Sequence, residues 1–340
     1  MSQTLPSSTA PRSGAVVWAL ILIAAGVIWL LREANIFTAQ NMAVLLRLWP
    51  VILIAIGVEL LIGRGSRSMS MLIVGATIVV LLALMFVGPA IGLAPNVEVK
   101  TMSIDEPLGD ATSARMNLGI GVGTTTVSAL QDSGSLIQAD LRYAGDVQFN
   151  VEPGAQADIT LSNSSSDANF GFDFFGWTLA VDERDLRWDV RLTPSIPLDL
   201  RVSGGVGSAT VDLTGLQVTN VVINTGVGEQ RITLPSGEGV LPVEISGGVG
   251  KTVLTIPAGA GVTADINAGV GETVIDVAGD AAVRLRADGG LGGVNVPAGW
   301  ERISGEDRNG VWESPTFSDA ATEDRIDIDY NGGVGSLRID

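Results

Sequence analysis

The pattern of hydrophobic positions changes near Pro95. Before it, apolar residues come in unbroken runs; after it, they alternate with polar ones. No charge interrupts Ser13–Leu31 or Ser68–Val97, and each run supplies the roughly 20 apolar residues that a helix needs to span about 30 Å of hydrocarbon. A third run, Ala43–Gly63, holds Arg47 and Glu59 near its ends, where both can snorkel to the two faces. Trp18, Trp29 and Trp49 lie towards span ends, the depth an amphipathic ring prefers. The pattern predicts a cytoplasmic tail over 1–13 and a membrane domain over 14–95, with three transmembrane helices at about 15–31, 43–63 and 69–93. Arg47 and Glu59 are the intramembrane polar candidates; pairing of Glu59 with Arg64, about one turn away, accounts for it better than a functional role. Buried core helices fit these runs poorly, given Gly26, Pro50, Gly57 and Pro89 within them. No small-residue cleavage site follows Leu31, as a removed signal peptide would require.

After Pro95 a G-x-G turn recurs, its central residue at Val122, Val206, Val227, Val249, Val270, Leu291 and Val334. From Val206 the steps are 21, 22, 21 and 21 residues; the step to Val334 is 43, and that from Val122 to Val206 is 84, or four periods of 21. Apolar residues keep register around each centre. Four and six before it stand Leu118/Met116, Val202/Leu200, Ile223/Val221, Ile245/Val243, Ile266/Ala264, Ala287/Leu285 and Tyr330/Ile328. Five and seven after it stand Val211/Leu213, Ile232/Leu234, Leu254/Ile256 and Ile275/Val277, with shortened copies at Val294/Val296 and Leu337/Ile339. Alternation at period two predicts strands with one face inward. Pro-Ser-Gly at 235–237 and Pro-Ala-Gly at 257–259 and 297–299 punctuate the far end of the units, since proline cannot continue a ladder.

Two strands of about five residues cannot bury an apolar face alone, so the units must stack. The expected fold is an all-β C-terminal domain, first a β-solenoid-like stack of two-strand repeats of about 21 residues. An antiparallel β-sandwich of hairpins is the alternative, because G-x-G also suits a hairpin loop. Its boundaries are 96–200 for a less regular β region and 201–340 for the repeat stack, with an inserted polar loop at about 300–325. The structural turn glycines are Gly121, Gly123, Gly205, Gly207, Gly226, Gly228, Gly248, Gly250, Gly269, Gly271, Gly290, Gly292, Gly333 and Gly335. A phosphate-cradling role is disfavoured because no helix follows any copy. The calcium nonapeptide pattern is absent as well: its aspartate positions hold Ser208, Glu229, Lys251, Glu272, Gly293 and Ser336.

Two stretches carry a family resemblance. GVIWLLREANIF…LLRLWPVILIAIGVELLIGR, over about residues 14–66, resembles the LiaI–LiaF-type transmembrane region, most specifically at Leu48-Trp49-Pro50 and Ile56-Gly57. NLGIGVGTTTV…RWDVRLTPSIPLDLRVSGGVGSATVDLTGL resembles the toast-rack N-terminal region that precedes a LiaF-like C-terminal domain, itself named for a response to cell-wall-active antibiotics. The resemblance implies envelope-stress sensing through a membrane histidine kinase or other envelope protein; no residue in the sequence identifies that contact. Adhesin-like β-solenoids fit the repeats almost as well.

Composition narrows the chemistry. The 340 residues include no histidine and no cysteine, which excludes disulfides, Cys/His metal sites and a Ser-His-Asp triad. The net charge of −17 divides into +3 for residues 1–95 and −20 for the rest, which excludes a basic nucleic-acid footprint. Positive charges tie across the two sides of the membrane, so orientation rests on the acidic domain avoiding an anionic cytoplasmic leaflet and lying outside. The carboxylates are scattered and mostly solvent-facing by alternation, so no enzyme and no cofactor are expected. Phe170, Phe172, Phe174, Phe175 and Trp177 cluster in one segment; alternation of the first three fits core packing, and the sharper reading is contact with a partner or the membrane. The expected protein is a multi-pass cell-membrane protein with an extracytoplasmic domain. Its partners would be the lipid bilayer and an envelope signalling protein, with homo-oligomers compatible. The alternative is a surface adhesin or scaffold presenting a β-solenoid face.

Overall fold

The computed structural model describes residues 44, 48–62, 67–91, 93, 99–131, 134–164, 185–237 and 239–340. Helices and strands fall into two compact units. In the helical unit, α1 (Trp49–Ile62) begins with proline in its first turn, where the missing N–H leaves no bond unmade. Helix α2 (Arg67–Val87) stops at Gly88-Pro89: the Gly88 N–H donates to the Leu84 carbonyl at 2.6 Å, and Pro89 cannot extend the ladder. A single 3₁₀ turn, Pro89–Ile91, follows. The helix therefore ends six residues short of the expected 93. Gly88 is fixed by packing, because a Cβ there would press on the buried Val44 side chain. Ile52, Leu53, Ile54, Ile56, Ile78, Val79, Val80, Leu82, Phe86 and Val87 are all exposed. The first expected span lies outside the described residues. Helix α1 has 14 residues, and the side chains of α2 are described only over 75–87. Among the described residues, then, no helix is long and apolar enough to cross a membrane.

The second unit is all β. Its strands are β1 (Val99–Pro107), β2 (Ser113–Gly119), β3 (Val122–Ala129), β4 (Ser135–Ala144), β5 (Asp146–Glu152), β6 (Gln156–Ser164) and β7 (Arg187–Leu192). Next come β8 (Leu198–Ser203), β9 (Val206–Asp212), β10 (Val218–Asn224), β11 (Val227–Thr233), β12 (Val240–Ser246), β13 (Val249–Ile256), β14 (Gly261–Asn267) and β15 (Val270–Val277). The chain closes with β16 (Ala282–Asp288), β17 (Leu291–Asn295), β18 (Glu301–Gly305), β19 (Asn309–Glu313), β20 (Arg325–Asn331) and β21 (Val334–Ile339). They form one sheet of ten strands, β1-β4-β7-β3-β9-β11-β13-β15-β21-β17. The other has eleven, β18-β19-β16-β20-β14-β12-β10-β8-β2-β6-β5.

Each G-x-G turn carries the chain from one sheet to the other, so it closes no hairpin. β10 and β11, for instance, lie in different sheets, and each pairs in parallel with the equivalent strand of the next unit. One strand from each sheet makes a rung, and eight rungs stack: β6/β7, β2/β3, β8/β9, β10/β11, β12/β13, β14/β15, β20/β21 and β16/β17. Antiparallel strands flank them, β5, β4 and β1 at one end and β19 and β18 at the other.

Stacking order departs from chain order at both ends. β2/β3 lies between β6/β7 and β8/β9, and β20/β21 lies between β14/β15 and β16/β17. The 84-residue step is thus not four rungs: Val122 pairs directly with Val206, and the residues between supply β4, β5 and the single rung β6/β7. Residues 300–325 are likewise not a plain loop. They contain the β18–β19 hairpin, which extends the eleven-stranded sheet beyond β16 and buries Trp312, then Phe317, 2 % exposed.

The core follows the period. Residues four and six before each centre, from Met116/Leu118 to Ile328/Tyr330, are all buried, Ala287 the most exposed at 7 %. On the other strand Val211/Leu213, Ile232/Leu234, Leu254/Ile256 and Leu337/Ile339 are buried too, while Val277, Val294 and Val296 are half-buried near that end of the stack. Each fully buried Val, Leu, Ile or Met among them contributes about 1.5–3 kcal/mol. Far corners close on glycine turns, as where the Ala260 N–H reaches the Pro257 carbonyl and Gly259 takes φ +73°.

The two glycines of a G-x-G corner are required for different reasons. A Cβ on Gly226 would overlap the Gly205 carbonyl oxygen of the rung below. Gly228 has φ +136°, and its Cβ would overlap the Gly207 carbonyl. Gly226→Ala and Gly228→Ala should each destabilise the β unit by about 2–4 kcal/mol. Gly237→Ala, at a site with open space around it, should leave the urea midpoint unchanged. Equal midpoints for all three variants would contradict the overlap argument.

Candidate contact surfaces

The glycine corners leave one side chain per rung standing on bare backbone. Val122, Val206, Val227, Val249, Val270, Val334 and Leu291 are register partners in that order along the ten-stranded sheet. Val122 is buried and Val206 half-buried; the other five are about half exposed or more, Leu291 reaching 74 %. At about 4.8 Å per rung, the line from Val206 to Leu291 is about 24 Å long. It is an apolar edge along one side of the stack.

The outer sheet faces are charged and organised by the same register. Lys251 and Glu272, partners across β13 and β15, pair at 3.0 Å, and the bond from Lys251 holds the Glu272 carboxyl below its ordinary range. Arg286 pairs with Asp329 at 3.3 Å, and Arg284 with Glu313 at 2.7 Å. Glu244, Asp265 and Asp329 stack on successive rungs and are exposed, a line of like charges in which only Asp329 faces an arginine across the ladder. Among the described residues no acidic cluster has the grouping of a metal site.

Arg115 on β2 ties three strands together, reaching Asp158 on β6 at 3.1 Å and Asp199 on β8 at 3.2 Å. Its bond to Asp199 raises the guanidinium pKa further. For Asp199, partial burial pushes the carboxyl up. Hydrogen bonds from Asn220 (2.9 Å) and Arg115, with the Arg201 charge, outweigh it and hold the group below the ordinary range.

Inside the corner runs a polar column absent from any local motif. Thr125, Gln230, Thr252 and Thr273 are register partners on β3, β11, β13 and β15, with the apolar Ala209 of β9 between the first two. Thr125, Gln230 and Thr273 are buried. Tyr330 hydrogen-bonds Thr273, and burial raises its hydroxyl pKa despite that bond. A cavity of about 20 Å³ beside Gln230, Thr252 and Tyr330 has room for about one water. The signal was present in the sequence as Thr125, Gln230, Thr252 and Thr273, each three positions after its centre, a position whose inward orientation only the pairing reveals.

Of the candidate residues, all fourteen turn glycines sit at or beside the rung corners. Glu59 falls within α1, and Arg47 lies outside the described residues. Phe170, Phe172, Phe174, Phe175 and Trp177 also lie outside them. They belong to the connection between β6 and β7, the rung whose strands no G-x-G corner joins.

The chain therefore combines apolar helices with a parallel, glycine-cornered stack of two sheets. Residues 94–255 match the family model for the N-terminal domain of toast_rack, DUF2154, and residues 16–61 match the LiaI-LiaF-like transmembrane region. In one chain, a segment similar to the LiaI-LiaF-like transmembrane region thus precedes one similar to the toast_rack N-terminal domain. No curated protein matches it. Among solved structures it is similar to a candidate cell adhesion protein from Clostridium sporogenes, at 18% identity and TM-score 0.44, covering 71% of this chain and 99% of that one. A candidate adhesin from Bacteroides fragilis is similar at 12% identity and TM-score 0.26, covering 71% of this chain and 97% of that one.

The Asp199 carboxylate makes a pH prediction. A carboxyl held low in the folded state stabilises above its unfolded pKa, about 3.9, and that contribution is lost as pH falls through the folded value. Asp199→Asn should lower the urea midpoint at pH 7, and the gap from the unmodified chain should begin to narrow below about pH 4. A gap that stays the same from pH 7 down to the lowest pH at which the chain still folds would assign the loss to packing instead.

Proposed function

We propose that the chain is a non-enzymatic envelope protein, anchored by three helices at about 15–31, 43–63 and 69–93, that carries an extracytoplasmic β-solenoid. It modulates a cell-envelope stress response through contact with a membrane signalling partner such as a histidine kinase. The observation that carries this reading is the joining of a LiaI-LiaF-like transmembrane region to a toast_rack domain in one chain. Exposed aliphatic faces on α1 and α2 support lipid contact. The −20 charge after residue 95 supports the outer side of the membrane, away from an anionic leaflet. Parallel rungs with glycine corners support the solenoid, whose Val206–Leu291 edge gives a partner an apolar line to meet.

Two measurements test this. Protease added to intact cells should remove the acidic domain and leave the helices protected. Deletion of the gene should change output from an envelope-stress reporter, with crosslinks from the helices capturing a kinase. A protected domain would overturn the sidedness. An unchanged reporter together with lost surface attachment would replace the regulator by an adhesin.

A further inference from the structure

The C-terminal rung occupies a place that the chain has already passed. From β15 the four residues Ala278–Ala281 lead to β16, whose partner strand in its own sheet is β20 and not β14. The step therefore skips one rung and leaves a slot two strand spacings wide, about 9.6 Å, which four residues can cross. β20 and β21 fill it later. β20 pairs in parallel with β14 on one side and β16 on the other, and β21 does the same with β15 and β17. Ile326, Ile328, Tyr330, Leu337 and Ile339 of the insert are all buried. This rung enters from a connecting segment after both walls of its slot have already been laid down in the chain.

The connection, residues 314–324, is held by a clamp. Phe317 lies beneath two guanidiniums, Arg284 of the slot wall at 4.2 Å and Arg325 of the insert at 4.9 Å from the ring centroid. The Ser314 hydroxyl donates to the Ala281 carbonyl and accepts from the Val283 N–H, both at 2.9 Å. Eleven residues, once released, extend to about 36 Å, far enough to reach another molecule.

We propose that this slot is a strand-exchange site for a second copy of the chain. Residues Arg325–Ile339 of one molecule fill the gap of another and link the two. Every pairing in the slot is the same whether the insert comes from its own chain or a neighbour, so the clamp and the connection decide between them. The flanking strands match the insert residue for residue, which a second copy reproduces and an unrelated peptide does not.

The chain has no cysteine, so introduced thiols report without background. Asp265 and Asp329 are exposed register partners across β14 and β20. Full-length Asp265→Cys with one tag and full-length Asp329→Cys with another are co-expressed, purified in detergent and oxidised. The expected product is a disulfide-linked species carrying both tags, and adding Phe317→Ala to both chains should raise its yield about tenfold by loosening the clamp. Thr263→Cys with Asp327→Cys, the neighbouring register pair, should behave alike, and it serves if the Phe317 variant does not fold. Lys251→Cys, on the other sheet, should give no mixed product with Asp329→Cys. Exchange is overturned if the Asp265→Cys/Asp329→Cys double variant closes its disulfide readily within one chain while neither pair forms a mixed-tag species. Equal yield from the mismatched pair overturns it too.

Discussion

The distance between neighbouring rungs at the glycine corner is the constraint on which the β unit depends. Parallel strands lie about 4.8 Å apart, and at the corner each backbone comes so near the carbonyl oxygen below that only hydrogen fits on Cα. Gly205, Gly226, Gly248, Gly269 and Gly333 repeat that approach from rung to rung, each against the glycine carbonyl of its neighbour. Because every corner is locked to the next, the apolar residues on both sides fall into register without further instruction. The aliphatic edge, the inner polar column and the outer ion-pair ladder are therefore three consequences of one spacing.

That spacing explains what the sequence disclosed. Period-two alternation around the G-x-G centres marked the buried pairs, because the same geometry recurs at each rung and leaves the same trace in the residues. It could not disclose which rung lies beside which. Val122, Val270 and Val334 sit in chemically equivalent units, and each could pair with any other. The direct contact of Val122 with Val206, and the placing of Val334 between Val270 and Leu291, are set by the lengths and turns of the connections. The β18–β19 hairpin was hidden for a different reason: Glu301–Gly305 is exposed throughout, so no buried face imposes alternation on it.

The displaced rungs have a physical rationale. A parallel stack ends in open strand edges that invite pairing with other chains. Here the rungs nearest the chain ends, β2/β3 and β20/β21, sit one place in from the outermost rungs, and antiparallel strands cover much of what remains. The ladder hydrogen bonds of both are satisfied on both sides, so neither is left to fray as a terminal strand. β17 is the contrasting case. It has one neighbour, and two of its five residues are glycine.

Charge then distinguishes the surfaces from one another. A domain with −20 would repel itself if its carboxylates were gathered without partners, and the ladder relieves part of that cost by matching Arg115, Lys251, Arg284 and Arg286 to acids on neighbouring strands. Along the Glu244–Asp265–Asp329 line that matching is incomplete, since only Asp329 faces an arginine. The valine edge carries no charge at all. A partner attracted by the faces would meet salt-sensitive, long-range forces, whereas one meeting the edge would gain only from the removal of apolar surface from water. The two kinds of contact are geometrically distinct on this fold: the charged residues lie on the outer sheet faces, and the uncharged line follows the glycine corners.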